Sequence, residues 1–319
     1  MSSPAPRALN RLISACGLPA VREVARPSND GYGLDNRLTV AQLEDGRHVV
    51  LRQSRVEQRS PRVRVEFLRG NGVDVPILYG ADEKGSSLWE YIEGHPLGVM
   101  VESGQATDEV WANVGAALHR IHRLTFPPPL QGEIGVDSMT LHPVDPVDAL
   151  HARLDDSAGW TRRHVPELKR PLVTVRRFLT ARADDIRSEC PSLCHGDVNL
   201  LNIIVKPDLN AQFIDWDFPV VRSPMDELSA LDEHAYLHGM NGLPPSFFDG
   251  YGTKVPADLL LAYRIVGCLG WLSSDEWEKW EMDPDVPLTA RRRLHGWHER
   301  LMTWAQSIPS RVPMLSQAG

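Results

Sequence analysis

Cysteine is scarce in this chain: four residues in 319, at Cys16, Cys190, Cys194 and Cys268. They form no Cys-x-x-Cys pair and no repeated spacing, so neither a zinc ribbon nor a disulfide framework is supported, and reduced, buried thiols are the expectation. Long apolar runs are also missing. The longest, Leu259 to Leu272, is interrupted by Arg264 and is too short to span a bilayer, so it reads as a buried helix. The opening residues Met1 to Arg7 lack the apolar segment of a secretory signal, and a cytoplasmic location with no membrane partner is expected. Positive charge is in deficit, with 34 Lys and Arg against 42 Asp and Glu, a net charge of −8. That balance argues against a general nucleic-acid binder and suits a cationic small molecule. No G-x-S-x-G nucleophile elbow occurs, and no internal repeat or long low-complexity tract is apparent.

What is present is enough apolar sequence, 42% of residues, for a two-lobed protein with a substantial core. The most informative stretch is Cys194-His195-Gly196-Asp197-Val198-Asn199-Leu200-Leu201-Asn202, followed by Phe213-Ile214-Asp215-Trp216-Asp217. Asp197 and Asn202 are separated by four residues, and Asp215 comes thirteen residues after Asn202. Between them, Ile203-Ile204-Val205 and a turn around Lys206-Pro207-Asp208 predict strand, hairpin turn, strand, which returns Asp215 to the side of Asn202. Two acids and an amide in this order suit phosphoryl transfer. A hydroxyl attacking a terminal phosphate must lose its proton to a neighbouring carboxylate, for which Asp197 is the candidate. Mg²⁺ prefers hard oxygen ligands and keeps most of its waters, so Asp215 and the amide oxygen of Asn202 would suffice beside the phosphates.

This pair of segments resembles the aminoglycoside phosphotransferase family, which is itself similar to choline kinases and other small-molecule kinases. The resemblance extends over roughly residues 20 to 275, with its specificity concentrated in the loop and the metal segment. It implies a protein-kinase-like α+β fold: a small antiparallel β lobe for the nucleotide, residues 1–93, and a larger α-helical lobe, residues 94–319. It also implies an enzyme that moves the γ-phosphate of ATP, with Mg²⁺, to a hydroxyl of a small-molecule acceptor, as a monomer or homodimer. His195 would fix the loop by hydrogen bonding without acting as the base, and Asp217 would assist from behind the metal.

In the first lobe, residues 6 to 17 read as a short helix, and Ser28 to Asn36 as a loop rich in turn formers. Leu38 to Leu43, Glu44 to Arg47 and His48 to Gln53 read as strand, turn and strand. By the resemblance this unit covers the nucleotide, with Gly31, Gly33 and Asn36 near the phosphates. Arg52 stands where a protein kinase carries its phosphate-binding Lys; the alternative is a strand Arg facing solvent. Ser60 as N-cap and Pro61 at the first position predict a helix to Gly70 or Asn71. Glu66 on that helix is the candidate partner of Arg52, although the spacing to Val73-Asp74-Val75-Pro76 does not single it out. Ile77 to Ala81 and Ser87 to Ile92 predict two more strands, and Glu90, Tyr91 and Ile92 are candidates to meet the adenine edge.

The second lobe is expected to be mostly helical, with helices over Val110 to Ile121, Val147 to Leu154, Leu168 to Ile186, from Ser223-Pro224 onward, and over 256–272 and 288–307. His119 and His122 could share a metal, but a structural or surface role is the expectation. By the resemblance the acceptor pocket lies near the carboxylates of this lobe, with Glu227, Asp232 and Glu276 as candidates; the alternative is a solvated acidic face. Asp226 is expected to support the loop rather than touch the acceptor. An aminoglycoside or related antibiotic is the first acceptor expected, and a choline, homoserine or sugar type of substrate is the alternative. A non-catalytic nucleotide-binding module is the rival outside enzymes.

Overall fold

The computed structural model describes residues 7–25, 36–54, 60–283, 286 and 288–316. The chain forms two units, neither of them continuous in sequence. One runs to Gly94 and also takes Gly135–Ser138 and Trp280–Arg292; the other holds His95–Ile134, Met139–Lys279 and Arg293–Gly319.

The first unit is built on an antiparallel sheet. Helix α1 (Arg7–Ala15) precedes β1 (Val21–Ala25), β2 (Asn36–Leu43) and β3 (His48–Ser54); α2 (Arg62–Gly70) separates these from β4 (Leu78–Ala81) and β5 (Ser86–Glu90). The strand order is β1-β2-β3-β5-β4. Alternation decides which face is buried: Ala41 and Leu43 on β2, Val49 and Leu51 on β3, and Leu88 on β5 all point into one core. Leu9, Leu12 and Ile13, spaced to share one face of α1, close that core. Each fully buried leucine contributes about 1.5–3 kcal/mol. One expectation is corrected here. Helix α2 begins at Arg62, with Pro61 as its cap residue and no side-chain cap, so Ser60 does not cap it.

The second unit is mostly helical, with two small sheets. It starts with β6 (His95–Pro96), α3 (Leu97–Glu102) and α4 (Asp108–His122). A hairpin of β7 (Leu130–Ile134) and β8 (Met139–Pro143) leads to α5 (Pro146–Asp156), α6 (Ala158–His164), α7 (Lys169–Ala181) and α8 (Ala183–Ser188). Then come four short strands, β9 (Ser192–Cys194), β10 (Ile203–Val205), β11 (Ala211–Phe213) and β12 (Val220–Arg222). Helices α9 (Pro224–Leu237), α10 (Pro245–Tyr251), α11 (Ala257–Ser273), α12 (Glu276–Met282) and α13 (Leu288–Arg311) complete the chain.

Two departures from the sequence expectations stand out. The helix expected over Leu168 to Ile186 is broken at Arg182, whose backbone leaves helical geometry. A four-stranded sheet, β8-β7-β12-β9, lies inside the helical unit, where the hairpin between Asn202 and Asp215 was the one strand pair expected. Helix α4 buries Val110, Val114, Leu118 and Ile121 as its periodicity requires. It meets α10 at backbone distance, because a Cβ on Gly115 would lie 2.1 Å from the Phe247 carbonyl oxygen and one on Gly250 would lie 1.9 Å from that of Ala112. This close crossing sets Tyr251 beside His122. Among the described residues, no helix is long and apolar enough to cross a membrane.

Candidate active site

Strand β9 delivers the chain to His195, which is fully buried. Its Nε2 donates to the Ile214 carbonyl at 2.8 Å, and its ring packs against Trp216 with centroids 4.5 Å apart. That carbonyl fixes the Nε2–H tautomer, leaving Nδ1 to accept from the Asp197 N–H at 3.4 Å. Burial lowers its pKa, so the ring is neutral, inward-facing and committed. The next residue has to be glycine. Gly196 has φ of +85°, and a Cβ there would sit 1.7 Å from the Phe218 carbonyl oxygen.

Asn199 shapes the turn that follows. Its Oδ1 accepts from the backbone N–H of Leu201 at 2.9 Å and of Asn202 at 3.0 Å, closing an Asx turn, and its Nδ2 reaches Asp197 Oδ1 at 3.4 Å. Asn202 donates from Nδ2 to both the carbonyl and Oδ2 of Asp197, each at 3.0 Å. With the nitrogen committed, the amide presents Oδ1 as its other end, a hard oxygen suited to a divalent ion. The strands behind the loop pair antiparallel, Ile203 with Phe213 and Val205 with Ala211. The Ile214 N–H continues the pairing to the Asn202 carbonyl at 2.9 Å. Asp215 follows in the left-handed region, φ +66°, which a non-glycine residue adopts only at a cost of about 1–3 kcal/mol.

The acids act on one another. Burial pushes the Asp197 carboxyl up, the neighbouring charge of Asp215 pushes it further, and hydrogen bonds from Asn199 and Asn202 pull it back, leaving it at about 7. Asp217 adds a smaller push. A hydrogen-bonded carboxylate close to neutrality, flanked by two more acids and an amide oxygen, fits Mg²⁺ by donor type and by charge. Among the described residues, Asp197, Asn202 and Asp215 are all brought together within the helical unit.

Below the loop lies a buried knot in which two expected roles change hands. Glu227, with no exposure, accepts from the Gly196 N–H at 3.0 Å and from His122 Nε2 at 3.0 Å, while His122 Nδ1 pairs with the Tyr251 hydroxyl at 2.8 Å. Burial alone would raise the Glu227 carboxyl, but the His122 hydrogen bond and the charges around it hold it at about 2. Loop support therefore falls to Glu227, and Asp226 instead pairs with Arg153. Adjacent helical residues point about 100° apart, and without the register the two acids could not be told apart. The same burial corrects Glu227 as an acceptor contact. Asp232 is corrected likewise, because it lies in the core, held by Arg264 and by the Leu243 N–H at 2.7 Å. Glu276 is half-exposed and pairs with Lys279 at 2.8 Å.

His122, Cys194 and Glu227 bring potential ligand atoms within 4.8 Å of one another. Both nitrogens of His122 are already engaged, and burial drives the Cys194 thiol well up, so this is a hydrogen-bonded core rather than a metal centre. His119 packs its edge on Tyr251.

In the sheet unit, Gly31 and Gly33 lie outside the described residues. Asn36 opens β2 opposite Ser54, and Arg52 on β3 stands opposite Leu38 and Ser87. Glu66 is exposed on α2, 3.9 Å from Arg62. Glu90 closes β5 and clasps Ile77, donating its N–H to the Ile77 carbonyl at 2.8 Å and accepting the Ile77 N–H on its carboxylate at 3.0 Å. Tyr91 packs against His48 with the rings tilted by 54° and centroids 5.6 Å apart, and Ile92 is half-buried.

Compared with known proteins, residues 29–252 match the profile of the phosphotransferase enzyme family. No curated protein matches the chain by sequence. Solved structures share the fold. Choline kinase LicA from Streptococcus pneumoniae is 17% identical, with TM-score 0.55, over 92% of this chain and 98% of that one. A macrolide 2'-phosphotransferase type I is 18% identical, with TM-score 0.57, over 92% and 98%. A spectinomycin phosphotransferase in complex with ADP and spectinomycin is 14% identical, with TM-score 0.57, over 96% and 99%.

Proposed function

The chain belongs to the phosphotransferase enzyme family, and from that premise we propose that it moves the γ-phosphate of ATP to a hydroxyl of a small molecule. The acceptor we favour is an aminoglycoside or related antibiotic. One observation carries the reading: Asp197, at about 7, is held by Asn202 and electrostatically coupled to Asp215.

A carboxylate near neutrality can take the acceptor's proton without being too weak a base, an effect of typically about 10²–10⁴ in rate. As the acceptor oxygen bonds to the γ-phosphorus, the bond to the bridging oxygen breaks, ADP departs, and the hydroxyl proton passes to Asp197. In a loose transition state that transfer is late, so Asp197 acts first by orienting the hydroxyl. Asn202 and Asp215 would hold Mg²⁺, which when bound supplies charge neutralisation on the phosphates. Arg52 would offer a planar fork to phosphate oxygens. Gly31, Gly33, Asn36, Glu90, Tyr91 and Ile92 remain the proposed nucleotide contacts, and Glu276 a proposed acceptor contact.

The fold is shared by a phosphotransferase bound to streptomycin and ATP, by one bound to spectinomycin and ADP, and by a choline kinase, so an amino alcohol is the second reading. The deciding measurement is a product mass spectrum from a panel of hydroxyl acceptors with ATP and Mg²⁺, comparing wild type with Asp197→Ala. A phosphorylated product from wild type and at least about a hundredfold less from the variant is expected. Equal yields would remove Asp197 from the reaction. Turnover of choline or homoserine with none of the antibiotics would reverse the order of the two acceptors.

A further inference from the structure

Away from Asp197, Asn202 and Asp215, the helical unit contains a cavity of about 310 Å³, which none of those three residues lines. That volume is at the lower end of small-molecule sites. Its walls are unusual in chemistry: Pro128, Pro129, Pro143, Pro146 and Pro191, with Ile186 beside them. Proline rings offer carbon surface, carry no N–H, and hold their backbone in place, so this part of the wall is apolar and preformed, with Gln131, Asp145, Arg187, Glu189 and Ser223 as the polar remainder.

The polar groups in the cavity do not cancel. Asp145 and Arg187 do, paired at 2.7 Å, with the other oxygen of Asp145 spent on the N–H groups of Val147 and Asp148 at the start of α5. Glu189 is left. Its one hydrogen bond among the described residues is from the Ser223 hydroxyl. Burial pushes its carboxyl up, Ser223 pulls it down and Asp226 pushes it up again, and among the described residues no Lys, Arg or His forms an ion pair with it; Arg187, on the same wall, is paired with Asp145. A half-buried carboxylate set against proline rings, with no ion-pair partner among the described residues, is disfavoured for the protein alone. The same group becomes favourable when an occupant brings the missing charge and the apolar body together.

We propose that this cavity is a second small-molecule site, which takes an organic monocation: an ammonium group on Glu189, its carbon skeleton against the proline walls. A neutral molecule of the same shape would leave the charge of Glu189 unanswered, and an anion would oppose it. Such a site is independent of which acceptor the enzyme phosphorylates.

Benzylamine, benzyl alcohol and benzoate share one ring and differ in charge, so they serve as probes, with binding followed by ligand-observed NMR and titration on the full chain. Wild type should bind benzylamine in preference to the other two. Glu189→Gln keeps an acceptor for the Ser223 hydroxyl and should bind it roughly ten- to a hundredfold more weakly. Val144→Trp fills the cavity from a partly exposed wall position and should abolish binding with the melting transition retained; it decides the matter if Glu189→Gln fails to fold. Asp197→Asn should bind benzylamine as wild type does. Unchanged affinity in Glu189→Gln or Val144→Trp, benzyl alcohol binding as tightly as benzylamine, or loss of binding in Asp197→Asn would each overturn the proposal.

Discussion

At the scale of single residues, Asp197 trades stability for chemistry, and pH separates the two. Its folded value of about 7 lies above the ordinary 3.8, so the folded protein holds this proton more tightly than the unfolded chain does. Its contribution is therefore most favourable below the unfolded value, erodes as pH rises between the two, and is fully lost above about 7. Asp197→Asn should melt higher than wild type at pH about 8 and lose that advantage near pH 4, read by thermal denaturation without nucleotide. Turnover should run the opposite way, because only the ionised form accepts a proton. A cation beside Asp215 would pull Asp197 down, so the acid limb of kcat/KM should have its midpoint at or below about 7. A rate unchanged between pH about 5 and 8 would contradict this. Residues of this kind were legible in the sequence because Asp197, Asn202 and Asp215 are joined by one short hairpin, which local spacing fixes. Asn199, two residues after Asp197 and just before the apolar strand, carries its own turn signal, and its Oδ1 accepts from the N–H groups of Leu201 and Asn202.

At the scale of elements, helix α9 is the support on which the loop rests. Ser223 caps it, accepting from the Met225 N–H at 3.1 Å, and Pro224 opens its first turn, as their order in the sequence predicts. One turn in, Glu227 holds both Gly196 and His122. Glu227→Ala would leave two buried donors without an acceptor, at a cost of about 2–5 kcal/mol. Because the Glu227 carboxyl is depressed to about 2 from 4.5, its contribution is whole above the unfolded value and disappears as pH falls through the folded one. The penalty of the substitution, measured by denaturant unfolding, should be full at neutral pH and shrink toward pH about 2. An equal penalty at both would mean that the carboxylate is not what holds the loop. The sheet β8-β7-β12-β9 escaped the sequence because β9 and β12 have three residues each and pair across long stretches of chain, leaving no local period to read. The break at Arg182 escaped because the apolar spacing runs through it; Arg182 is tied to Asp185 and Asp258 instead.

For the whole molecule, the periodicity of the sequence suggests one boundary near Gly94, while the first unit also takes Gly135–Ser138 and Trp280–Arg292, which no local pattern marks. Nothing in the composition of the later segment marks it as belonging with strands far upstream. The gene is thus asymmetric under cutting. Severed after Gly94, the downstream fragment carries every segment of the helical unit, but the upstream fragment is short of two pieces of its own. The 95–319 product should therefore give a cooperative melting transition, while 1–94 alone should not; mixing the two should restore order to the smaller piece. A two-fragment complementation reporter built at this junction would owe its conditional behaviour to a late stretch of polypeptide on loan to the beginning of the chain.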